Sequence, residues 1–215
     1  MEKHHLSVNK TATYYTIGDV KRASKVWIVL HGYAQLARTF INRFEEIQSQ
    51  ELAIIAPEGL HRFYQKGFYG DVVASWMTKE DREVDISDYV EYLSKLTKIL
   101  LTENQEITIF GFSQGVATTC RWVVESDIKP KNLILWAGTF PNDLNLKKSK
   151  NSFRDINCFL VFDKDDPFRN ETSWNEQLNF IDSIGVKPKI FNFDGGHRVP
   201  KTALKEFYDC FMRVS

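Results

Sequence analysis

Six short apolar runs, set apart by stretches of helical periodicity, limit what this chain can fold into more than any other feature. They are VWIVLHG at 26–32, LAIIAPEG at 52–59, ITIFGFS at 107–113, LILWAG at 133–138, CFLVFD at 158–163 and KIFNFDGG at 189–196. A run that is apolar at successive positions has no polar face, so as a strand it must be covered on both sides. The intervening stretches supply covers. Ile86, Tyr89, Val90, Leu93, Leu96 and Leu100 recur at helical spacing, with Asp85 as the expected cap. Trp174, Leu178 and Ile181 form a second stripe; Leu204, Phe207, Tyr208 and Phe211, after Pro200, form a third. The pattern predicts an α/β fold, a mostly parallel central sheet with helices on both faces, as a single domain over 1–215. LSV and TATYYTIG, flanking Asn9 and Lys10, predict an antiparallel edge hairpin.

Charge narrows the partners. The 28 Lys and Arg balance 28 Asp and Glu, so no global field favours nucleic acid or an anionic membrane. KKSK at 147–150 reads as a solvated loop. No stretch approaches the ~18 apolar residues of a membrane span, and the amino-terminal residues lack a signal-peptide pattern, so a cytoplasmic protein without stable membrane insertion is expected. Cys120, Cys158 and Cys210 lack metal-site spacing and read as reduced core thiols. Oligomeric state has no signature.

The chemistry centres on GFSQG at 111–115, where a strand run gives way to a helical segment. A nucleophile on a sharp strand–turn–helix elbow needs small residues two before and two after it, and Gly111 and Gly115 meet that need around Ser113. At average residue usage GxSxG arises by chance about 0.07 times in such a chain, so the strand-to-helix context carries weight. The following helix aims N–H groups and its positive dipole end at developing negative charge.

A serine nucleophile requires a base whose pKa suits neutral pH, hence a histidine. His4 and His5 lie in a polar terminus; His61 suits a loop; His31, before Gly32, suits a turn. His197 follows two glycines after the last strand run and precedes the final helix, where a loop can carry an imidazole over a neighbouring strand end. The orienting acid is one of Asp163, Asp165 and Asp166 in VFDKDDPF, the other two making a solvated turn. The oxyanion donors are expected to be the N–H of Gln114 and, from HGYAQ at 31–35, that of Tyr33, with Ala34 as its neighbour. No cofactor or metal is required. Since the base must be neutral, kcat/KM is expected to rise with pH around ~6–7.5.

HGY, APEG, SWM, GFSQG, DDP and GGH stand in an order that resembles the phospholipase/carboxylesterase branch of the α/β-hydrolases, which includes acyl-protein thioesterases and small bacterial carboxylesterases. The likeness covers about 25–212. It implies a serine hydrolase of carboxylic esters or thioesters with Ser113 as nucleophile and His197 as base. The acid directly before proline, Asp166, becomes the orienter, with Asp165 as the fallback. A peptidase or amidase on the same triad and a non-catalytic hydrolase-fold binding protein are the alternatives. The sequence departs from the family at Val116, where a further glycine is usual, and at Asp163, where glycine is usual. The SW pair also lacks its preceding proline. Only about 20 residues, 138–157, are available where other α/β-hydrolases carry a lid, so no separate lid domain is expected. Tyr33, Phe68, Tyr69, Trp76, Phe140 and Phe168 are candidate apolar walls of the substrate pocket, with Tyr33, Trp76 and Phe168 favoured.

Overall fold

Alternate residues of each buried strand face opposite covers. In the computed structural model, which describes residues 1–213, β2 (Lys25–Leu30) sends Val26, Ile28 and Leu30 into one apolar cluster and Trp27 and Val29 into another. Val214 and Ser215, the last positions of the expected domain, lie outside the described residues. The sheet is completed by β1 (Tyr14–Ile17), β3 (Leu52–Pro57), β6 (Glu106–Phe112), β7 (Asn132–Trp136), β8 (Asn157–Phe162) and β9 (Lys189–Asn192) in the order β1-β3-β2-β6-β7-β8-β9. Every pairing is parallel except that of β1 with β3. The first cluster packs under α2 (Arg82–Leu100), α3 (Gln114–Glu125), α4 (Leu146–Phe153) and α5 (Glu171–Ser183). The second lies under α1 (Ala37–Phe40), a 3-10 segment (Ile41–Ile47) and α6 (Lys201–Phe211).

This topology has a switch point. From β2 the chain moves outward to β3, whereas from β6 it moves the other way to β7, so the loops leaving β2 and β6 diverge and open a crevice at the carboxyl edge. HGY lies on the first of those loops and FSQ on the second.

Several expectations are corrected. No hairpin forms about Asn9 and Lys10: Leu6 and Val8 are exposed, while Tyr14–Ile17 pairs with the open edge of β3. The cap of α2 is Asp81, in the left-handed region at φ 50°, and Asp85 lies within the first turn. There its carboxylate accepts from Thr78 N–H at 2.9 Å and pairs with His61 at 3.1 Å. KKSK belongs to α4, capped by Asn145, which accepts from Lys148 N–H. Cys120 and Cys158 are buried and burial raises both thiols, Cys158 to about 12, but Cys210 is exposed. An antiparallel pair absent from the sequence reading, β4 (His61–Lys66) and β5 (Tyr69–Ser75), stands apart from the main sheet. Between β7 and β8 only α4 intervenes, with no separate lid domain. Among the described residues no helix is long and apolar enough to cross a membrane.

Candidate active site

Ser113 joins β6 to α3 with φ 52° and ψ −115°, a conformation few L-residues adopt and one that the surrounding packing must enforce. Gly115 allows that packing: a Cβ there would sit 2.4 Å from Leu30 O, so helix and strand approach as closely as backbones can. Gly138 does the same on the other side, where a Cβ would lie 2.6 Å from Ser113 O and 2.6 Å from Val116 Cγ2. Val116 is therefore accommodated by Gly138 and stays fully buried, a change of packing beneath the serine.

The Ser113 hydroxyl meets His197 Nε2 at 2.9 Å, and His197 Nδ1 meets Asp166 Oδ2 at 2.7 Å. With Nδ1–H donating to the carboxylate, Nε2 is left as the acceptor for the serine proton. Asp166 is buried and its other oxygen accepts from Phe168 N–H at 2.8 Å. Asp165 is exposed in the turn, which separates the two acids.

His197 starts from the end of β9 and must reach back past β8 and β7 to β6, about 14 Å at ordinary strand spacing. Three anchors hold the crossing loop. Asp163 Oδ2 accepts from Gly195 N–H at 2.7 Å and Gly196 N–H at 2.5 Å; Trp136 Nε1 donates to Arg198 O at 2.9 Å; Arg43 Nη1 donates to Val199 O at 3.0 Å. Asp163 is thus buried and engaged, not part of a solvated turn. The N–H groups of Gly196, Asp165 and Gly195 hold its carboxyl below the usual range. Nothing in VFDKDD distinguishes this acid from its neighbours; the signal is its position at a strand end opposite the GG pair.

The HGY loop lies against the serine: a Cβ on Gly32 would be 3.3 Å from Ser113 Cβ. Gly32 N–H donates to Gln35 Oε1 at 2.9 Å and Ala34 N–H to Ala74 O at 2.9 Å. Ala34 is thereby removed as a candidate donor. Among the described residues neither Tyr33 N–H nor Gln114 N–H has an acceptor. His31 is structural: Nδ1 donates to Gly32 O at 2.7 Å and Nε2 accepts from Gly59 N–H at 3.0 Å, and burial pushes its pKa down to about 4. The Gln114 side chain turns away from the serine, with Oε1 accepting from Trp76 N–H and Nε2 donating to Met77 O.

The expected apolar walls divide. Trp76 is 0% exposed, with Nε1 donating to His31 O at 2.8 Å, so it braces the HGY loop from below and presents no face to a substrate. That corrects the expectation: its indole N–H needed a buried acceptor, and His31 O supplies one. Phe168, 77% exposed, lies over the His197 ring at 4.6 Å between centroids. Tyr33 is exposed and packs on Phe63; Phe68 and Tyr69 stand exposed at the β4–β5 turn; Phe140 is buried.

A family model described as Phospholipase/Carboxylesterase matches residues 14–213. No curated protein matches the chain. Among solved structures, acyl-protein thioesterase 2 of Zea mays superposes with a TM-score of 0.72 at 14% identity, covering 93% of this chain and 97% of that one. A phospholipase/carboxylesterase from Dyadobacter fermentans gives 0.67 at 18% identity, over 94% and 97%. The Bacillus cereus carboxylesterase gives 0.63 at 16% identity, over 94% and 95%. At these identities the superpositions speak to fold.

Proposed function

Because the chain belongs to the phospholipase/carboxylesterase family and is a carboxylesterase/thioesterase-type hydrolase, we propose that it cleaves carboxylic esters or thioesters through an acyl-enzyme on Ser113. The observation that carries this reading is the unbroken contact from Ser113 Oγ through His197 to Asp166, 2.9 and 2.7 Å, at the carboxyl edge beside the switch point. His197 takes the serine proton as Oγ attacks the acyl carbonyl, and Asp166 stabilises the imidazolium that forms. The Tyr33 and Gln114 N–H groups hold the tetrahedral oxyanion. His197 then protonates the departing alcohol or thiol, and a water activated by the same ring releases the acid. The machinery calls on no cofactor or metal. The two apolar clusters share one sheet, which supports reading the chain as one α/β-hydrolase domain.

Rapid mixing with an aryl ester tests the covalent step. We predict a burst of phenolate equal to the enzyme concentration when deacylation is slow, and an acyl adduct on the Ser113 peptide. A non-catalytic binding protein would give neither.

A further inference from the structure

A cavity of about 660 Å³ opens alongside α3, its wall beginning one helical turn past the candidate nucleophile, and much of that wall is polar. Its near end is formed by Ala117, four residues beyond Ser113 on α3, and by Thr139, next to the Gly138 that abuts Ser113 O. One helical turn separates Ala117 from the serine. Two guanidiniums line it, Arg82 and Arg121. Arg121 is 6% exposed and donates from Nε and Nη2 to Asp143; Arg82 donates to the same carboxylate. Two cations therefore share Asp143, and Arg82 also lies 3.8 Å from the exposed Glu83. Arg121 Nη1 also packs on Met77 Sδ at 3.4 Å, and Met77 O accepts from Gln114 Nε2, which couples this wall to the residue after the serine.

Gln177, on α5, also lines the cavity and is 3% exposed. Its Oε1 accepts from Phe140 N–H at 2.8 Å, which fixes the amide orientation. Its Nε2 has no acceptor among the described residues. A buried donor without an acceptor is rare in native proteins and calls for an explanation. Glu176, the neighbouring acid on the wall, is exposed. Paired guanidiniums and an unfilled amide donor match a planar group that only accepts hydrogen bonds. Ala117 and Phe140 offer apolar wall for a short aliphatic segment.

We propose that this cavity is a substrate subsite for a carboxylate, so that the ester attacked by Ser113 carries a second, free carboxylate a short spacer away. The proposal rests on the nucleophile reading above and adds a polar subsite to the apolar walls expected from the sequence.

The test begins with fluorophosphonate titration of active serine in the full-length protein. On titrated enzyme, kcat/KM is compared for aryl hemiesters of succinate, glutarate and adipate against aryl butyrate, valerate and hexanoate. A second arm compares acetate esters of carboxyphenols with those of neutral phenols, and the arm that carries the preference tells whether acyl or leaving group enters the cavity. The expected preference for the carboxylated ester in one arm is about ten- to a hundredfold. Gln177→Glu, which sets a like charge in the cavity, brings that ratio towards one, and Arg82→Gln lowers it at least about fivefold. Equal or better turnover of the neutral esters in both arms overturns the subsite while leaving the nucleophile intact. A preference that persists in both variants overturns its location. Protein that does not titrate overturns both readings, and free glutarate that fails to bind Ser113→Ala in calorimetry counts against the subsite alone.

Discussion

Ser113 at φ 52°, the unfilled Tyr33 N–H and the Asp166 carboxylate stand out from neighbours that are otherwise engaged. Gly32 and Ala34 N–H groups are committed to Gln35 and Ala74, leaving the one between them without an acceptor among the described residues. Asp163 is committed to the loop that carries His197, and Asp165 to solvent. We predict that Asp166→Asn lowers kcat on the order of 10³–10⁴-fold, by setting the wrong histidine tautomer, without changing the fold. Asp165→Asn should stay within about twofold. Steady-state kinetics on an aryl ester checks both, and equal losses would return the choice to the sequence's three open acids. The sequence singles out Ser113 and His197, which the fold brings within 2.9 Å of each other, because GFSQG and GGH are local patterns. The loop's anchors, Asp163, Trp136 and Arg43, were not, since each acts on backbone more than thirty residues away in chain order or across the sheet.

Apolar runs and strong helical stripes could be read from the chain, and elements that bury few residues without such a pattern could not. All six apolar runs became strands of the main sheet, and the three helical stripes lie within α2, α5 and α6. The β4–β5 pair was missed because most of its residues are exposed, so its alternation serves no core. The KKSK stretch of α4 reads as loop because the helix's buried residues amount to Ser149 and Phe153, too little to print a stripe. The SWM segment was recognised as a motif, but its task is to be clamped by Gln114 and to seat Trp76 under the HGY loop. Packing between β2 and α3 has no slack at Gly115. Gly115→Ala would force its methyl into Leu30 O, and overpacking of this kind costs typically 1–3 kcal/mol. We predict a lowered melting temperature together with loss of esterase activity, read by thermal denaturation and kcat. Retention of both would mean that helix and strand do not approach as described.

Taken whole, the molecule uses the two sides of one sheet differently. The α2–α5 side holds the helix that follows Ser113 and the polar cavity, while the α6 side follows the histidine loop and closes the second apolar cluster. Buried His31 joins the two halves at the switch point, between Gly32 and Gly59. Its pKa is lowered from 6.5 to about 4 by burial, so the unfolded chain binds more protons between those values. The neutral ring's contribution is whole above about pH 6.5 and is lost as pH falls towards 4. It is on the order of 3 kcal/mol over the full window. Urea unfolding at pH 7, 5.5 and 4 should show that decline, and His31→Gln should flatten it; an unchanged slope in the variant would remove His31 as its source. The proposed reactive group of the hydrolase is one serine, Ser113. Fluorophosphonate labelling followed by peptide mass analysis tests it most directly. A single adduct on the Ser113 peptide is expected, absent from Ser113→Ala and strongly slowed in His197→Ala. Labelling that is missing from the native protein, or identical in Ser113→Ala, would contradict it.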